Sequence, residues 1–215
     1  RLLALPLAHL DTAALTAGFH TRKNAMATFV SNCGSRVRRE FMAELDKALA
    51  KHKIEVHHYG ECRHNTPVPV SRGATDWRQQ KVEILKQYKF ALAAENTRRP
   101  GYVTEKVWDA LEAGAIPVYL GAPDVSLHVP RDSFLDSANF RNPAKVAAQM
   151  MRIARSFEEY DKFFGWGPFE LKSLHKIHAC EHSWQCRVCE WAAWHQAGRP
   201  SPSQREGVHT ASEDV

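Results

Sequence analysis

The sequence predicts an α/β fold built on a doubly wound parallel sheet, and three observations predict it. First, Lys89–Ala94 and Ala115–Leu120 are short apolar runs, the length of strands buried on both faces. Second, the segment between them divides into a polar loop, Glu95–Gly101, and a helical stretch. There Val103, Val107, Ala110, Leu111 and Gly114 recur at helical spacing, and Gly114 ends the helix. Strand, loop, helix, strand is a βαβ unit, whose ligand is expected beyond the C-terminal strand ends, at the helix N-terminus. Third, the same logic recurs upstream. Met26–Val30 reads as a strand, Ser31–Arg36 as a turn-rich loop, and Phe41, Leu45, Ala48 and Leu49 as one helix face, before a strand over Ile54–Tyr59. The order is that of a Rossmann-like domain.

The remaining elements follow in order. Residues 1–25 show little periodicity and read as a linker or the end of a preceding domain, with Gly18–Asn24 as a basic loop. Gly60–Gly73 holds two prolines and two glycines and reads as a loop. Asp76–Tyr88 is helical by pattern, with Trp77, Val82, Leu85 and Tyr88 apolar. After Gly121 little regular structure is expected, and Asp124 and Val125 fall just past a strand end, near any ligand. Pro143–Phe157 reads as a helix with Val146, Ala147, Met150, Ile153 and Ala154 on one face. Tyr160–Trp166 and Phe169–Ile177 look helical in part. The domain is expected to span 26–197, and the polar, Pro- and Ser-rich stretch 198–215 to be a disordered tail.

Composition narrows the function classes. A chain of 215 residues that is 44% hydrophobic can bury one full domain core. A net charge of +5 and a pI near 9.0 suit an anionic ligand. Nucleic acid is set aside as a partner because no binding motif or aromatic-basic platform accompanies the charge. No apolar run approaches the roughly 20 residues of a membrane span. Nor does the start read as a signal peptide, so any membrane anchor is expected in a part that precedes Arg1.

The charges point to where the anion sits. Lys106 falls in a first helical turn, where a cation is unfavourable by roughly 0.3–1 kcal/mol. No acidic residue stands four positions before it, since that position is Tyr102. An external anion would resolve the conflict, and Lys106→Ala is then expected to leave the empty fold intact while weakening anion binding. Arg98 and Arg99 are more simply solvated loop charges. Arg36, Arg38 and Arg39 crowd the other helix start, where a charge run is more often a solvated face than a phosphate site.

Glu95-Asn96-Thr97, Gly101-Tyr102-Val103-Thr104-Glu105-Lys106, Ala113-Gly114-Ala115-Ile116-Pro117-Val118 and Leu120-Gly121 occur in that order. In order and spacing they resemble the donor-binding signature of the α1,3/4-fucosyltransferases, glycosyltransferase family 10. The match extends from about Ala27 to about Trp191. The resemblance implies a GT-B architecture of two facing domains, with this chain as the C-terminal, donor-binding half. It implies GDP-fucose as donor substrate, no tightly bound cofactor, and a divalent cation (Mn or Mg) at most as a stimulant. There is no Asp-x-Asp pair of the kind that holds a metal in other glycosyltransferases. It also implies a Golgi-lumen protein, type II membrane-anchored in full-length form. Two positions depart from the family pattern: Ala93 and Ala94 stand where aromatic residues are usual, and Thr97 replaces a serine.

Inverting transfer needs a base for the acceptor hydroxyl, positive charge on the leaving diphosphate, and stabilisation of an oxocarbenium-like sugar. By resemblance, Lys106 and Arg38 carry the leaving-group charge, with Arg39 the neighbouring alternative to Arg38. Glu105 meets the fucose or ribose hydroxyls, Tyr102 and Asn96 surround the nucleotide, and Glu95 lies near them. The family's general base is a carboxylate well ahead of Arg38. Asp11 is the only acidic residue in 1–25, so this chain alone is expected to bind donor and catalyse poorly.

Five cysteines remain. Cys33 and Cys62 follow the first two strands, so parallel neighbours would bring them together as a disulfide across adjacent loops. Cys186 and Cys189 form a C-x-x-C near His175, His178, His182 and His195, which raises a zinc site. By resemblance the pair belongs to disulfides of an oxidising compartment. Cys180 is left over. The segments FVSNCGSR and YGECRHN resemble members that fucosylate the innermost GlcNAc of glycoprotein N-glycans. Lewis-type members, a non-catalytic GDP-sugar-binding module, and a UDP-sugar enzyme of the same architecture are the alternatives.

Overall fold

The computed structural model describes residues 12–69, 76–139 and 142–166. Five parallel strands, β1 (Lys23–Thr28), β2 (Glu55–His58), β3 (Tyr88–Ala94), β4 (Ile116–Leu120) and β5 (Leu135–Asp136), form one sheet in the order β2-β1-β3-β4-β5. Strand order reverses between β1 and β3. That point, where the loops after these two strands part to opposite sides, is where a doubly wound sheet opens a ligand crevice. The helices are α1 (Thr12–Thr21), α2 (Arg36–Lys51), α3 (Trp77–Leu85), α4 (Glu105–Glu112), α5 (Pro143–Arg155) and α6 (Phe157–Asp161).

The side-chain period of two along the strands divides the core. Met26, Phe90, Leu92, Ile116 and Val118 point to the face covered by α2 and α5, where Met42, Leu45, Leu49, Val146, Met150 and Ile153 meet them. Ala25, Ala27, Ala91 and Ala115 point to the other face, beneath Val82, Leu85, Ala110 and Ala113 of α3 and α4. Alanines on this second face let α3 and α4 lie close to the sheet. Every residue of β3 is buried, as its unbroken apolar run requires. Burying one Leu, Ile or Phe contributes roughly 1.5–3 kcal/mol, so the α2–α5 face is the stronger anchor.

Helix starts are fixed locally. Ser35, Asp76 and Asn142 accept the backbone N–H of Arg38, Gln79 and Lys145, each cap contributing about 1 kcal/mol. Gly114 follows α4 with φ +67°, a conformation that terminates helices and suits glycine. On the second face, Asp109 of α4 is fully buried and takes Lys81 Nζ at 2.9 Å and Arg78 Nε at 2.8 Å, which bolts α3 to α4.

Three local expectations are corrected. Residues 12–25, expected to be linker and basic loop, carry α1 and the first half of β1. Phe19 of α1 packs against Phe157 and Tyr160 at ring-centroid distances of 5.7 and 5.4 Å. Lys23 and Asn24 begin β1 although exposed, because they stand at the strand's solvent-facing N-terminal end. Tyr88, expected to end a helix, begins β3. β5 is two residues long and was not expected. Cys33 and Cys62 form a disulfide with Cα atoms 5.5 Å apart, as the parallel pairing of β1 and β2 predicts. Cys180, Cys186, Cys189, the nearby histidines, Phe169–Ile177 and the tail 198–215 lie outside the described residues. Among the described residues no helix is long and apolar enough to cross a membrane.

Candidate functional site

The site gathers at the switch point between β1 and β3. Arg38 enters from the first turn of α2 and is only 1% exposed. Its Nη1 donates to Asn96 Oδ1 at 2.5 Å and to the Ala94 carbonyl at 3.4 Å, while Nη2 donates to the Asn32 carbonyl. One guanidinium thus ties the loop after β1 to the loop after β3. Its Nε–H is buried with no hydrogen-bond partner. Burial lowers the Arg38 pKa, with Glu95 and Tyr102 pulling the other way; the group stays cationic. Arg39, one residue on, faces solvent and donates to the Cys33 carbonyl. Of the two, only Arg38 reaches the crevice.

A cleft of about 220 Å³ opens here, lined by Ser35, Val37 and Arg38 of the α2 start and by Glu95, Asn96, Thr97, Arg98 and Leu120. Its walls combine a helix N-terminus, a buried arginine and an exposed amide, a set suited to an anion.

Glu95 lies beneath this cleft. Its carboxylate is 0% exposed and is taken up by the protein. The Thr104 backbone N–H donates at 2.8 Å, the Thr104 hydroxyl reaches both oxygens at 2.8–2.9 Å, and Lys106 Nζ donates at 2.9 Å. Thr104 occupies the cap position of α4 but turns its hydroxyl to Glu95 rather than to the helix. Every bond just described to the Glu95 carboxylate is internal, from Thr104 and Lys106. The expectation for Lys106 changes with it. The cation at the start of α4 already has an anion, supplied from the end of β3. Lys106 is 17% exposed and borders a small recess with Phe29, Val30 and Lys81.

Glu105 begins α4 and is half exposed. Partial burial pushes its carboxyl up. Lys106, its own backbone N–H, Lys81 and Thr104 outweigh that and hold it below the usual range. It is an anion on the rim beside Lys106, whose Nζ stands 3.9 Å away. Tyr102 is exposed on the preceding loop, which is pinned by the adjacent Gly101: its N–H donates to both Asp124 oxygens at 2.9 Å, and its φ is +72°. Arg98 and Arg99 are exposed loop residues, and Arg98 borders the cleft.

The structure therefore brings Arg38, Asn96, Glu95 and Lys106 together and leaves Tyr102 and Glu105 on the rim. Sequence reasoning placed Thr104 and Gly121 in the signature without a role for either, and missed the Asn32 carbonyl. A Cβ at Gly121 would fall 2.3 Å from Tyr119 Oη and 2.7 Å from Glu95 Cγ. A threonine just before a Glu-Lys helix start was the available signal for Thr104; a backbone carbonyl gives none. Among the described residues no group of three or more His, Cys, Asp and Glu could hold a metal ion, so no ligand set for Mn or Mg is found there.

Comparison with known proteins agrees with this geometry. The sequence model for the C-terminal part of glycosyltransferase family 10 (fucosyltransferase) matches residues 19–204. A fucosyltransferase-like protein of Arabidopsis thaliana is 36% identical over 178 residues, 80% of this chain and 32% of that protein. GDP-fucose protein O-fucosyltransferase 3 of Danio rerio is 38% identical over 123 residues, 56% of this chain and 27% of that protein. The crystal structure of an α1,3-fucosyltransferase with GDP-fucose superposes with a TM-score of 0.56 at 25% identity, over 74% of this chain and 44% of that one. The chain spans about a third of the length of the curated relatives it matches. Fold, signature and family model coincide over the same residues, and the chain belongs to glycosyltransferase family 10, the fucosyltransferases.

Proposed function

We propose that this chain holds the donor GDP-fucose in the cleft between α2 and the loop after β3, for an inverting α1,3-fucosyltransferase. The observation that carries the reading is Arg38. A buried guanidinium in the wall of a cleft at a helix N-terminus suits an anionic ligand. The diphosphate of GDP-fucose is such an acceptor, and the solved family structure with GDP-fucose supports the choice.

In the reaction a bond forms between the acceptor oxygen and fucose C1, and the bond from C1 to the β-phosphate oxygen breaks. Negative charge grows on the leaving diphosphate. Arg38 and the α2 N-terminus oppose it there, as fixed donors that need no reorganisation. Lys106 adds positive charge at the start of α4. Glu105, kept ionised beside Lys106, suits hydroxyls of the fucose or ribose. Tyr102 and Asn96 border the nucleotide. The base that takes the acceptor proton is, by family resemblance, a carboxylate ahead of Arg38.

The acceptor in this reading is a GlcNAc hydroxyl of a glycoprotein N-glycan, of the core type. The Cys33–Cys62 bond supports it, because the segments that carry these cysteines resemble core-type members. The bond also suits an oxidising compartment, the Golgi lumen, where the full-length protein would be a type II membrane protein. A second reading has a protein hydroxyl as acceptor, and the relatives named protein O-fucosyltransferase 3 favour it.

The test is incubation of a full-length protein that includes this chain with GDP-fucose and a GlcNAc-terminated N-glycopeptide, read by mass spectrometry. Fucose added to the glycan is expected. Fucose on a polypeptide hydroxyl instead selects the second reading. Donor binding without transfer to either leaves a GDP-sugar-binding module.

A further inference from the structure

We infer that Glu95 is a positioning residue: its buried carboxylate fixes the Lys106 ammonium at the start of α4, next to the donor cleft, rather than serving as a ligand of the donor. The inference rests on the donor-site reading above and assigns Glu95 a role inside it.

Three features of the geometry carry it. The carboxylate is 0% exposed, and three donor groups from Thr104 and Lys106 within 2.9 Å take up its oxygens. The same threonine hydroxyl that donates to Glu95 accepts from Lys106 Nζ at 2.9 Å, so Thr104 closes a ring of three side chains. Finally, Glu95 is closely packed from below: a Cβ at Gly121 would fall 2.7 Å from its Cγ, beside Tyr119, whose Oη accepts the Ala122 N–H at 2.9 Å. An ammonium has three N–H bonds. Glu95 and Thr104 take two, and the third is left to the partly exposed side, beside Glu105. The other charges packed around this ring are Arg38 on the cleft side and the Lys81–Asp109–Arg78 cluster on the α3 side.

A direct ligand and a positioning residue differ in how their losses combine. GDP affinity and melting temperature are measured for Glu95→Gln, Lys106→Met and the double variant. The clamp predicts that each single variant loses about tenfold or more in GDP affinity. The double variant loses no more than Lys106→Met alone, within about threefold, and it melts higher than Lys106→Met because no orphaned carboxylate remains. Losses that multiply would show that Glu95 meets the donor itself and overturn the inference. Normal GDP binding by Glu95→Gln with loss in Lys106→Met would also overturn it, while leaving the donor site standing. Normal GDP binding by Lys106→Met would refute the donor role of Lys106 itself, and with it the clamp. If Glu95→Gln does not fold, Thr104→Val replaces it. It removes the shared hydroxyl and keeps the backbone N–H, and a loss of about threefold or more is expected. No loss overturns the clamp.

Discussion

Lys106 Nζ stands 2.9 Å from Glu95 Oε2, so the cation that opens α4 is neutralised from the end of β3. The pairing alters what removal of Lys106 does. Sequence alone suggested a neutral change in the empty protein. With Glu95 fully buried, Lys106→Ala strands a carboxylate, and breaking such a pair costs about 3–5 kcal/mol. The two Thr104 donors remain, which puts the expected loss near the lower end. Urea unfolding checks it: an unchanged midpoint would mean that the pair contributes nothing.

Gly121→Ala is expected to damage both fold and site. The added methyl meets Tyr119 Oη and Glu95 Cγ at distances no real contact tolerates. Overpacking of this kind costs typically about 1–3 kcal/mol. Because Glu95 must shift, GDP affinity should fall together with stability. A variant that is destabilised yet binds GDP normally would separate Gly121 from the site.

Reduction of Cys33–Cys62 should lower stability. The bond closes a loop of 29 residues in sequence separation, which in the chain-entropy account is worth about 3–4 kcal/mol. The same bond holds the loop whose Asn32 carbonyl accepts from Arg38. Thermal melts with and without reductant, on a variant lacking the other three cysteines, measure the effect. Identical melts would contradict it.

Lys89 gives a pH dependence. It is buried on β3, donates to the Ala154 carbonyl at 3.0 Å, and lies 3.5 Å from the centre of the Phe19 ring. Burial pulls its pKa from 10.5 down to about 8. Between about pH 8 and 10.5 the unfolded chain therefore binds a proton that the folded protein does not, and stability rises with pH. Above 10.5 the penalty is absent, and below about 8 it is complete. The stability of the wild type relative to Lys89→Met should climb by about 3 kcal/mol across that window. A flat difference would show that Lys89 keeps an ordinary pKa.

The sheet was readable because β3 and β4 are apolar runs and α2, α4 and α5 carry one apolar stripe each, while β1 was read three residues late because its first two residues are exposed and polar. α1 was not, because only Leu15 and Phe19 mark its buried side among small and polar residues. β5 is too short to show a period. Arg38 stood out from Arg39 by its place in a motif, and the structure separates the two: the helix turns residue 38 inward and residue 39 out. The pairing of Glu95 with Lys106 was invisible because local spacing describes one helix, and this anion arrives from a strand end.

The central claim is that Arg38 and its cleft receive the diphosphate of a guanosine nucleotide sugar. Calorimetric titration of the chain and of Arg38→Lys with GDP-fucose and UDP-glucose tests it most directly. Lysine keeps the charge and removes the Nε–H and the planar fork. GDP-fucose should bind the unaltered chain, with UDP-glucose at least about tenfold weaker. Arg38→Lys should lose roughly 1.5–3 kcal/mol of GDP-fucose binding, the worth of a charged hydrogen bond. Equal binding of UDP-glucose, or an Arg38→Lys variant that binds GDP-fucose as well as the unaltered chain does, would contradict the account.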